Sequence, residues 1–588
     1  MPSRVNIVLA LSDDQGWGDV GYRGNTHLRT PELDRMAEAG LRFERFYSGA
    51  PICSAARAAL LTGRSPHRTG VTTQGQPLRL QERTLAQALR KAGYATGHFG
   101  KWHLDGVKGQ PVQGGPVIAN HSHNPGAFGF QTWLSNIGIF ELDPILGTRE
   151  RFDLYPGEPS SILVREAMNF MNQSSSRRHP FFAAIWFSNP HIPWYPPKRF
   201  IQPYKHFTKC RTYRNLTACE KNAYRDCDCF PSETAVHYGE LAALDAAVGE
   251  LRDGLRKLEI QDDTLLWFQS DNGPEPKLRR PFSPTGNLSG SKKTLLEGGI
   301  RVPSIAEWPG TIGPRVTWHP ACAMDLFPTI AELVGLPESS MLQPQDGTSL
   351  VPLFKRELGP RQKPIPFAYF NQHQFGNGWA IIDNQYKLVR WSSKWAHKTY
   401  NRPPAKPVDA SRLPDRTGPR AGKSEARNLL LRRTFALFDV VADSKENFNL
   451  VGRLDDPEIA ATIVRLTRAL DLFSLSMNAS ENGLDYPERC VWAQPSVDVW
   501  CELECYKPSA RRITKLIHDW DRRNPGHNYR VWECGLYNRS IRGIKGDGSA
   551  ERGPTTCRTK GSRCLSEWPW VGDGENKWKV DDVLHAAT

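Results

Sequence analysis

The sequence predicts an α/β fold: a large mixed, mostly parallel sheet flanked by helices on both faces, then a smaller α+β part and a Cys/Trp-rich tail. Three observations lead there. Short runs rich in β-branched and aromatic residues alternate with helix-like stretches through the first half of the chain, the pattern that builds parallel sheets from strand–helix–strand units. After about residue 362 this alternation gives way to runs separated by tight turns, as in antiparallel sheets. Beyond about residue 485 cysteine and tryptophan concentrate, with seven of the 18 tryptophans between Trp492 and Trp578.

Taken in order, Val5–Leu11 reads as the first strand. A secretory signal would need a longer apolar stretch and a cleavage site, whereas this run passes directly into Asp13 and Asp14. Pro31–Ala39 is helical, with proline at its first turn. Ser54–Leu61 is helix-forming, and Gly63 supplies its stop. Then come a helix over Thr84–Ala92, a strand over Ala95–Phe99, a helix over Ser161–Asn172 and a strand over Phe181–Phe187. A helix over Thr234–Leu258 and a strand over Thr264–Gln269 complete the alternation. Farther on, Trp379–Asp383 and Tyr386–Trp391 form two strands turning at Asn384, Ala436–Val440 a further strand, and Pro457–Leu475 an amphipathic helix. The expected division is 1–362 for the large unit, 363–482 for the α+β unit with a basic insertion at 402–433, and 483–588 for the tail. There is no internal repeat.

Composition narrows the function classes. The 588 residues are 39% hydrophobic, and 49 Gly and 45 Pro are scattered without period, which excludes a collagen-like or wholly disordered chain. The longest clean apolar run, Phe181–Phe187, is far short of the roughly 18 residues that span a bilayer. A net charge of +14 points to an acidic partner: nucleic acid, anionic lipid or a polyanionic glycan. Part of the excess is local, since Arg402–Arg433 carries nine Lys/Arg against three Asp/Glu with five prolines. That segment reads first as a solvated insertion and second as a polyanion-binding arm. No nucleic-acid module accompanies it, so nucleic acid is not an expected partner.

The 12 cysteines fall into groups. Cys210, Cys219, Cys227 and Cys229 form one; Cys490, Cys501, Cys505, Cys534, Cys557 and Cys564 form another; Cys53 and Cys322 stand alone. Neither group contains the paired CxxC spacing of a zinc ribbon. Even-numbered clusters in loop-like sequence favour disulfides and an oxidising compartment, hence a secreted or lysosomal protein whose signal is absent from this chain. Sequons at Asn172, Asn215, Asn287, Asn478 and Asn538 are compatible with that location.

In open α/β sheets ligands bind beyond the carboxyl ends of the strands. There the sequence sets Asp13 and Asp14 after the first strand, Lys101 and His103 after the second, His191 after the third, and Asp271, Asn272 and Gly273 after the fourth. Asp, Asn and Gly are also ordinary turn residues, so no single member is decisive. Four strands delivering acidic, cationic and imidazole groups to one edge mark it as the site. Cys53 opens the helix that follows Pro51, where amide N–H groups and the dipole favour anions, and Arg57 lies one turn on. Alone, Cys53 reads either as an activated thiol of depressed pKa or as a small apolar core residue. A thiol-phosphatase loop is disfavoured, because Ala59 stands where that loop needs arginine.

Cys53-Ser-Ala-Ala-Arg57 followed by Leu61-Thr-Gly-Arg64 resembles the motif of the type I sulfatases, C-x-(P/A)-x-R with a downstream T-G-R. Further blocks of that family stand in order: Asp13-Asp-Gln-Gly-Trp-Gly-Asp19, Gly100-Lys-Trp-His103, the His191 segment, Ser270-Asp-Asn-Gly-Pro274 and Gly290–Pro303. Leu437-Phe-Asp-Val and Glu446-Asn-Phe-Asn-Leu450 are similar to its C-terminal segment. The resemblance spans roughly residues 5–475 and implies an alkaline-phosphatase-like fold and a sulfuric ester hydrolase, arylsulfatase-like.

The resemblance further implies that Cys53 is converted to formylglycine by a formylglycine-generating enzyme, and that Asp13, Asp14, Asp271 and Asn272 bind one divalent metal. Their oxygen donors favour Ca²⁺, with Mg²⁺ second. Arg57 and Lys101 would hold the modified residue, whose hydrated aldehyde attacks sulfur to form a covalent sulfated intermediate. His103 would take the proton that drives sulfate elimination, while His191 and Lys292 would contact sulfate and protonate the leaving oxygen. Lys292 is preferred to Lys293 on its spacing to Glu297. Many members have Pro and then Ser after the modified cysteine's neighbour; here Ala55 and Ala56 stand instead, which bears on how the site is matured. The expected substrate is a sulfated carbohydrate or aryl sulfate. Two other readings compete: a related phosphate mono- or diester hydrolase, and a catalytically silent glycan-binding protein.

Overall fold

The computed structural model describes residues 5–106, 115–209, 230–276, 282–370, 378–391, 435–488, 490–491 and 563–564. Its centre is a ten-stranded mixed sheet. In chain order the strands are β1 (Asn6–Ser12), β2 (Leu41–Phe43), β3 (Ala95–Lys101), β4 (Thr132–Asn136), β5 (Ile145–Gly147), β6 (Phe152–Leu154), β7 (Phe181–Trp186), β8 (Thr264–Ser270), β9 (Ser304–Glu307) and β10 (Arg315–Thr317). Across the sheet they run β10-β2-β9-β8-β1-β7-β3-β4-β5-β6. The central block β8-β1-β7-β3-β4 is parallel throughout, and the antiparallel pairings lie toward the two sides.

Both faces of the sheet are covered, as the near-continuous apolar runs of the central strands require. Ile7, Leu9 and Leu11 point to one face with Trp267 and Trp186. There they meet α2 (Cys53–Thr62), α3 (Leu85–Lys91) and α6 (Leu326–Leu333). Val8 and Ala10 point to the other with Ile185 and Phe268, against α1 (Pro31–Ala39), α4 (Pro159–Ser176) and α5 (Glu233–Lys257). Each fully buried aliphatic side chain here contributes about 2 kcal/mol. The helix ends follow local chemistry. Thr84 and Gln87 form a reciprocal capping box on α3, and Gly63 ends α2 with φ of 68°.

A four-stranded antiparallel sheet follows, β11 (Ile365–Tyr369), β12 (Gly378–Asp383), β13 (Tyr386–Trp391) and β14 (Phe435–Asp439). Asn384, at φ of 52°, turns β12 into β13. One face of this sheet, through Phe367, Ile382 and Phe438, packs on Ala55, Ala56 and Ala59 of α2. The other, through Ile381, Leu388 and Leu437, packs on α7 (Pro457–Glu481). The C-terminal sheet thus backs the helix that begins with Cys53.

The four strands expected on the large sheet and those expected after residue 362 are present, with ends that differ from expectation by at most two residues. The short strands β2, β4, β5, β6, β9, β10 and β11 have no counterpart in the sequence reading. Runs of three to five residues, several at the sides of the sheet, carry too little periodicity to stand out. The cluster Cys210–Cys229 and the insertion 402–433 lie outside the described residues. Beyond residue 488, the described backbone of the tail is an antiparallel pair in which Cys490 and Cys564 are register partners. Cys53 and Cys322 are buried free thiols. Among the described residues no helix is long and apolar enough to cross a membrane.

Candidate active site

The carboxyl ends of the parallel strands carry the site. β1 ends at Ser12 and delivers Asp13 and Asp14; β3 ends at Lys101, with His103 two residues beyond; β8 ends at Ser270 and delivers Asp271 and Asn272. His191 follows β7 on the loop that opens with Ser188 and Asn189, and α2 contributes Cys53 and Arg57. Gly100 allows β3 to pass this edge: a Cβ there, at φ of 110°, would lie 1.9 Å from the Trp186 carbonyl oxygen. Lys292 comes from the segment after Gly290, held by its own N–H on the Pro274 carbonyl at 2.9 Å. All ten expected residues are buried and lie on this one edge.

Their contacts are direct. Cys53 Sγ sits 3.3 Å from Asp13 Oδ1. Arg57 Nη2 donates to Asp271 Oδ2 at 2.8 Å and lies 3.3 Å from Asp13 Oδ2, while its Nη1 donates to the Lys101 carbonyl at 3.0 Å. Its guanidinium carbon stands 5.1 Å from the centroid of the Trp186 ring. Lys101 Nζ is paired with Asp13 Oδ2. Lys292 Nζ donates to Asp14 Oδ2 at 2.7 Å and to His191 Nε2 at 3.2 Å. Lys293, with φ of 69°, spends its N–H on the Pro51 carbonyl and has no side-chain contact in the group.

The electrostatics separate these groups. Burial pushes the Asp13 carboxyl up, but Lys101, His191, Arg57 and Lys292 together outweigh it and hold it well below the usual range. Burial and the neighbouring Asp13 push Asp271 up to about 7. Burial and the Lys292 ammonium push His191 down to about 4, and burial, Lys101 and Arg57 push His103 well down, so both rings are neutral at pH 7. Burial and Asp13 push the Cys53 thiol well above its usual value. The protein groups alone thus do not favour the activated-thiolate reading of Cys53. At this helix N-terminus desolvation and a carboxylate at contact distance outweigh the dipole and the nearby cations.

The donor set fits a hard divalent cation. Asp13, Asp14 and Asp271 offer carboxylate oxygens, and Asn272 Oδ1 is buried with no hydrogen-bond partner while its Nδ2 donates to Asp14 Oδ1 at 2.7 Å. Ligating atoms of Asp13, Asp14, Cys53 and His191 lie within 4.8 Å of one another, so oxygen, sulfur and imidazole groups face a common space. Of these, a hard cation selects the oxygens. Beyond the ten, the structure adds Trp186 beneath Arg57, which in the sequence is one apolar strand residue among seven. It also adds a buried network in which Lys387 bridges Glu297 at 3.1 Å and Glu446 at 2.9 Å, tying the Lys292 segment to β13. Residues so far apart in sequence give no local signal of that pairing.

Three comparisons with known proteins bear on this site. The family model described as Sulfatase matches residues 5–336. Arylsulfatase A of Bos taurus is 29% identical over 538 residues, 86% of this chain and 94% of that protein. N-acetylgalactosamine-6-sulfatase of Canis lupus familiaris is 31% identical over 432 residues, 67% of this chain and 73% of that protein. A solved protein in complex with k-i-k-neocarrahexaose is similar in fold, with TM-score 0.60, 23% identity, and coverage of 84% of this chain and 99% of that one. Another, in complex with its substrate D-glucosamine-2-N,6-O-disulfate, gives TM-score 0.57 at 19% identity, covering 82% and 99%.

Proposed function

The chain belongs to the sulfatase family and is a sulfuric ester hydrolase; on that premise we propose that it removes sulfate from a sulfated carbohydrate with an oxygen nucleophile made from Cys53. The observation that carries this reading is the setting of Cys53 itself. Its sulfur stands 3.3 Å from Asp13 Oδ1 and 3.9 Å from Asp14 Oδ1, against two of the oxygen donors of the candidate cation site and with Lys101, Lys292 and Arg57 around it. A hard cation held by those oxygens favours an oxygen nucleophile over a sulfur one. Conversion to formylglycine supplies a hydrated aldehyde, one hydroxyl of which attacks sulfur while the other allows sulfate to be expelled and the aldehyde restored.

The division of labour follows from position and charge. Asp13, Asp14, Asp271 and Asn272 would hold one divalent cation, Ca²⁺ before Mg²⁺ because carboxylate and amide oxygens in an all-protein cage suit the larger ion. When bound, that cation supplies Lewis-acid polarisation of the sulfate and a lower pKa for the nucleophilic oxygen. Arg57, held by Asp271 and the Lys101 carbonyl, and Lys101 orient residue 53 and balance charge. Neutral His103, with Nδ1 buried and free of a hydrogen-bond partner, accepts the proton released as sulfate is expelled. His191 and Lys292 share a hydrogen bond and deliver a proton to the leaving oxygen.

The substrate class draws support from the sulfated-sugar relatives and from the +14 charge. Disulfides in the two cysteine groups, glycans at the sequons and a secreted or lysosomal location complete the proposal. Turnover of an aryl sulfate, with the matching aryl phosphate left intact, is the expected result; phosphatase turnover at a comparable rate overturns the reading. Chelation should abolish activity, and Ca²⁺ should restore it more fully than Mg²⁺. In protein from its native host, the peptide containing residue 53 should carry formylglycine by mass spectrometry, and unmodified cysteine alone contradicts the mechanism.

A further inference from the structure

The loop that carries His191 is held at both ends by one carboxylate that none of the catalytic roles uses. Glu240 lies on α5, buried at 8% exposure, on the side of the sheet opposite α2. Its Oε1 accepts the backbone N–H of Tyr195 at 2.8 Å, and its Oε2 accepts the side-chain amide of Asn189. These two residues flank His191 by two positions on one side and four on the other. Asn189 is itself tied in two further directions. Its carbonyl accepts the N–H of Asp13 at 3.0 Å, and its Oδ1 accepts the Ser160 hydroxyl at 2.7 Å. Within the loop, Trp194 Nε1 closes onto the Pro190 carbonyl at 2.7 Å.

A carboxyl in this place is costly. Burial pushes Glu240 well up, and the nearby Glu158 and Glu141 add to the push, against only the Tyr195 N–H and the Asn189 amide. A buried acidic group among other acidic groups, with no cation paired to it among its hydrogen-bond partners, does not stabilise a fold by its charge. What it supplies is geometry: two acceptor oxygens on one rigid helix, each fixing one end of a short loop.

We propose that Glu240 is a positioning residue for sulfate-ester cleavage, holding loop 189–195 at both ends so that His191 stays aligned with Lys292 and the leaving-group oxygen. The proposal rests on the reading of His191 and Lys292 as the pair that protonates that oxygen.

The test is a leaving-group series. The parent enzyme, Glu240→Ala, Glu240→Gln and His191→Ala, each carrying the mature residue 53, are assayed on aryl sulfates whose phenols span several pKa units. A good leaving group needs little protonation and a poor one needs much, so loss of alignment steepens the dependence of kcat on phenol pKa. Glu240→Ala should lose on the order of 100-fold in kcat on the poorest leaving group and only a few-fold on the best, with KM changed less than about threefold. Glu240→Gln, which keeps the shape and one acceptor oxygen, should fall between, and it remains informative if the alanine variant does not fold. Equal loss on every substrate, or no loss, in both Glu240 variants overturns the proposal while a steepened His191→Ala series leaves the His191 reading standing. A His191→Ala series parallel to the parent overturns both.

Discussion

Lys292 and His191 meet Nζ to Nε2 across 3.2 Å, from loops about a hundred positions apart. The Nδ1 of the same ring contacts the Ile192 carbonyl, which can only accept, so Nδ1 carries the hydrogen and Nε2 of the neutral ring receives the lysine proton. The pair therefore holds a proton on Lys292, whose ammonium is stabilised by Asp14 against the cost of burial.

Removing that ammonium should alter both rate and pH dependence. Lys292→Met is expected to lower kcat by about 100- to 1000-fold, the scale for losing one preorganised donor to developing charge. The His191 titration, held near 4 by burial and Lys292, should move to higher pH, because Asp14 and Asp13 still favour the imidazolium and the largest of the cations opposing it is gone. The pH profile of residual kcat/KM measures this. A variant profile superimposable on that of the parent contradicts the pairing.

Residue 53 offers a sharper chemical test. Serine supplies one hydroxyl where the hydrated aldehyde supplies two, so it can attack sulfur but has no second hydroxyl to expel sulfate. Cys53→Ser should release at most about one equivalent of phenol per active site and then stop. Mass spectrometry should find the gained sulfate on residue 53. Sustained turnover by the serine variant would rule out the elimination step.

Stability of the assembled fold depends on a second buried pairing, remote from the chemistry. Arg68 meets Asp346 through two nitrogens, at 2.8 and 3.1 Å, and its remaining nitrogen donates to the Ser476 carbonyl and to the hydroxyls of Ser476 and Ser480 on α7. Asp346→Ala leaves a buried guanidinium without its anion and should destabilise the folded state by about 3–5 kcal/mol. The double change Arg68→Met with Asp346→Leu should recover much of that loss in a denaturant titration. A double variant no more stable than Asp346→Ala would show that the α7 contacts of Arg68, and not its charge pairing, dominate.

Much of the molecule was legible because its signals are local. The central strands are apolar runs that end in charged residues, and Pro31, Thr84 and Gly63 mark helix ends by capping chemistry that acts within four residues. The ten site residues each sit in a short distinctive block, so their convergence followed once the strands were laid parallel. The state of Cys53 was not legible, since its raised pKa depends on Asp13, forty positions earlier, and on burial. Nor were the Glu240 clamp or the Lys387 bridge, in which polar residues inside ordinary helix and strand patterns find partners only through tertiary packing. A lone Glu in an amphipathic helix reads as solvated until its neighbours are known.

Asp245 belongs to the same class, and it carries a pH signature of its own outside the active site. From α5 its Oδ1 accepts the N–H groups of Leu33 at 2.8 Å and Glu32 at 3.1 Å, serving the first turn of α1 from another helix. Burial nonetheless pushes its carboxyl up to about 7, from about 3.9 in an unfolded chain. A raised acid binds its proton more tightly folded than unfolded. Its stabilising contribution is complete below about pH 3.9 and is lost progressively as pH climbs through about 7. Asn cannot titrate, yet its carbonyl oxygen keeps an acceptor for α1. Relative to the parent, Asp245→Asn should therefore gain stability between pH 5 and pH 8, on the order of 2 kcal/mol, whatever its offset at pH 5. Groups that titrate alike in both proteins cancel in this difference. Unfolding at the two pH values measures it, and a parent-to-variant gap that stays constant or moves the other way would show that the Asp245 carboxyl is already ionised in the fold at pH 5.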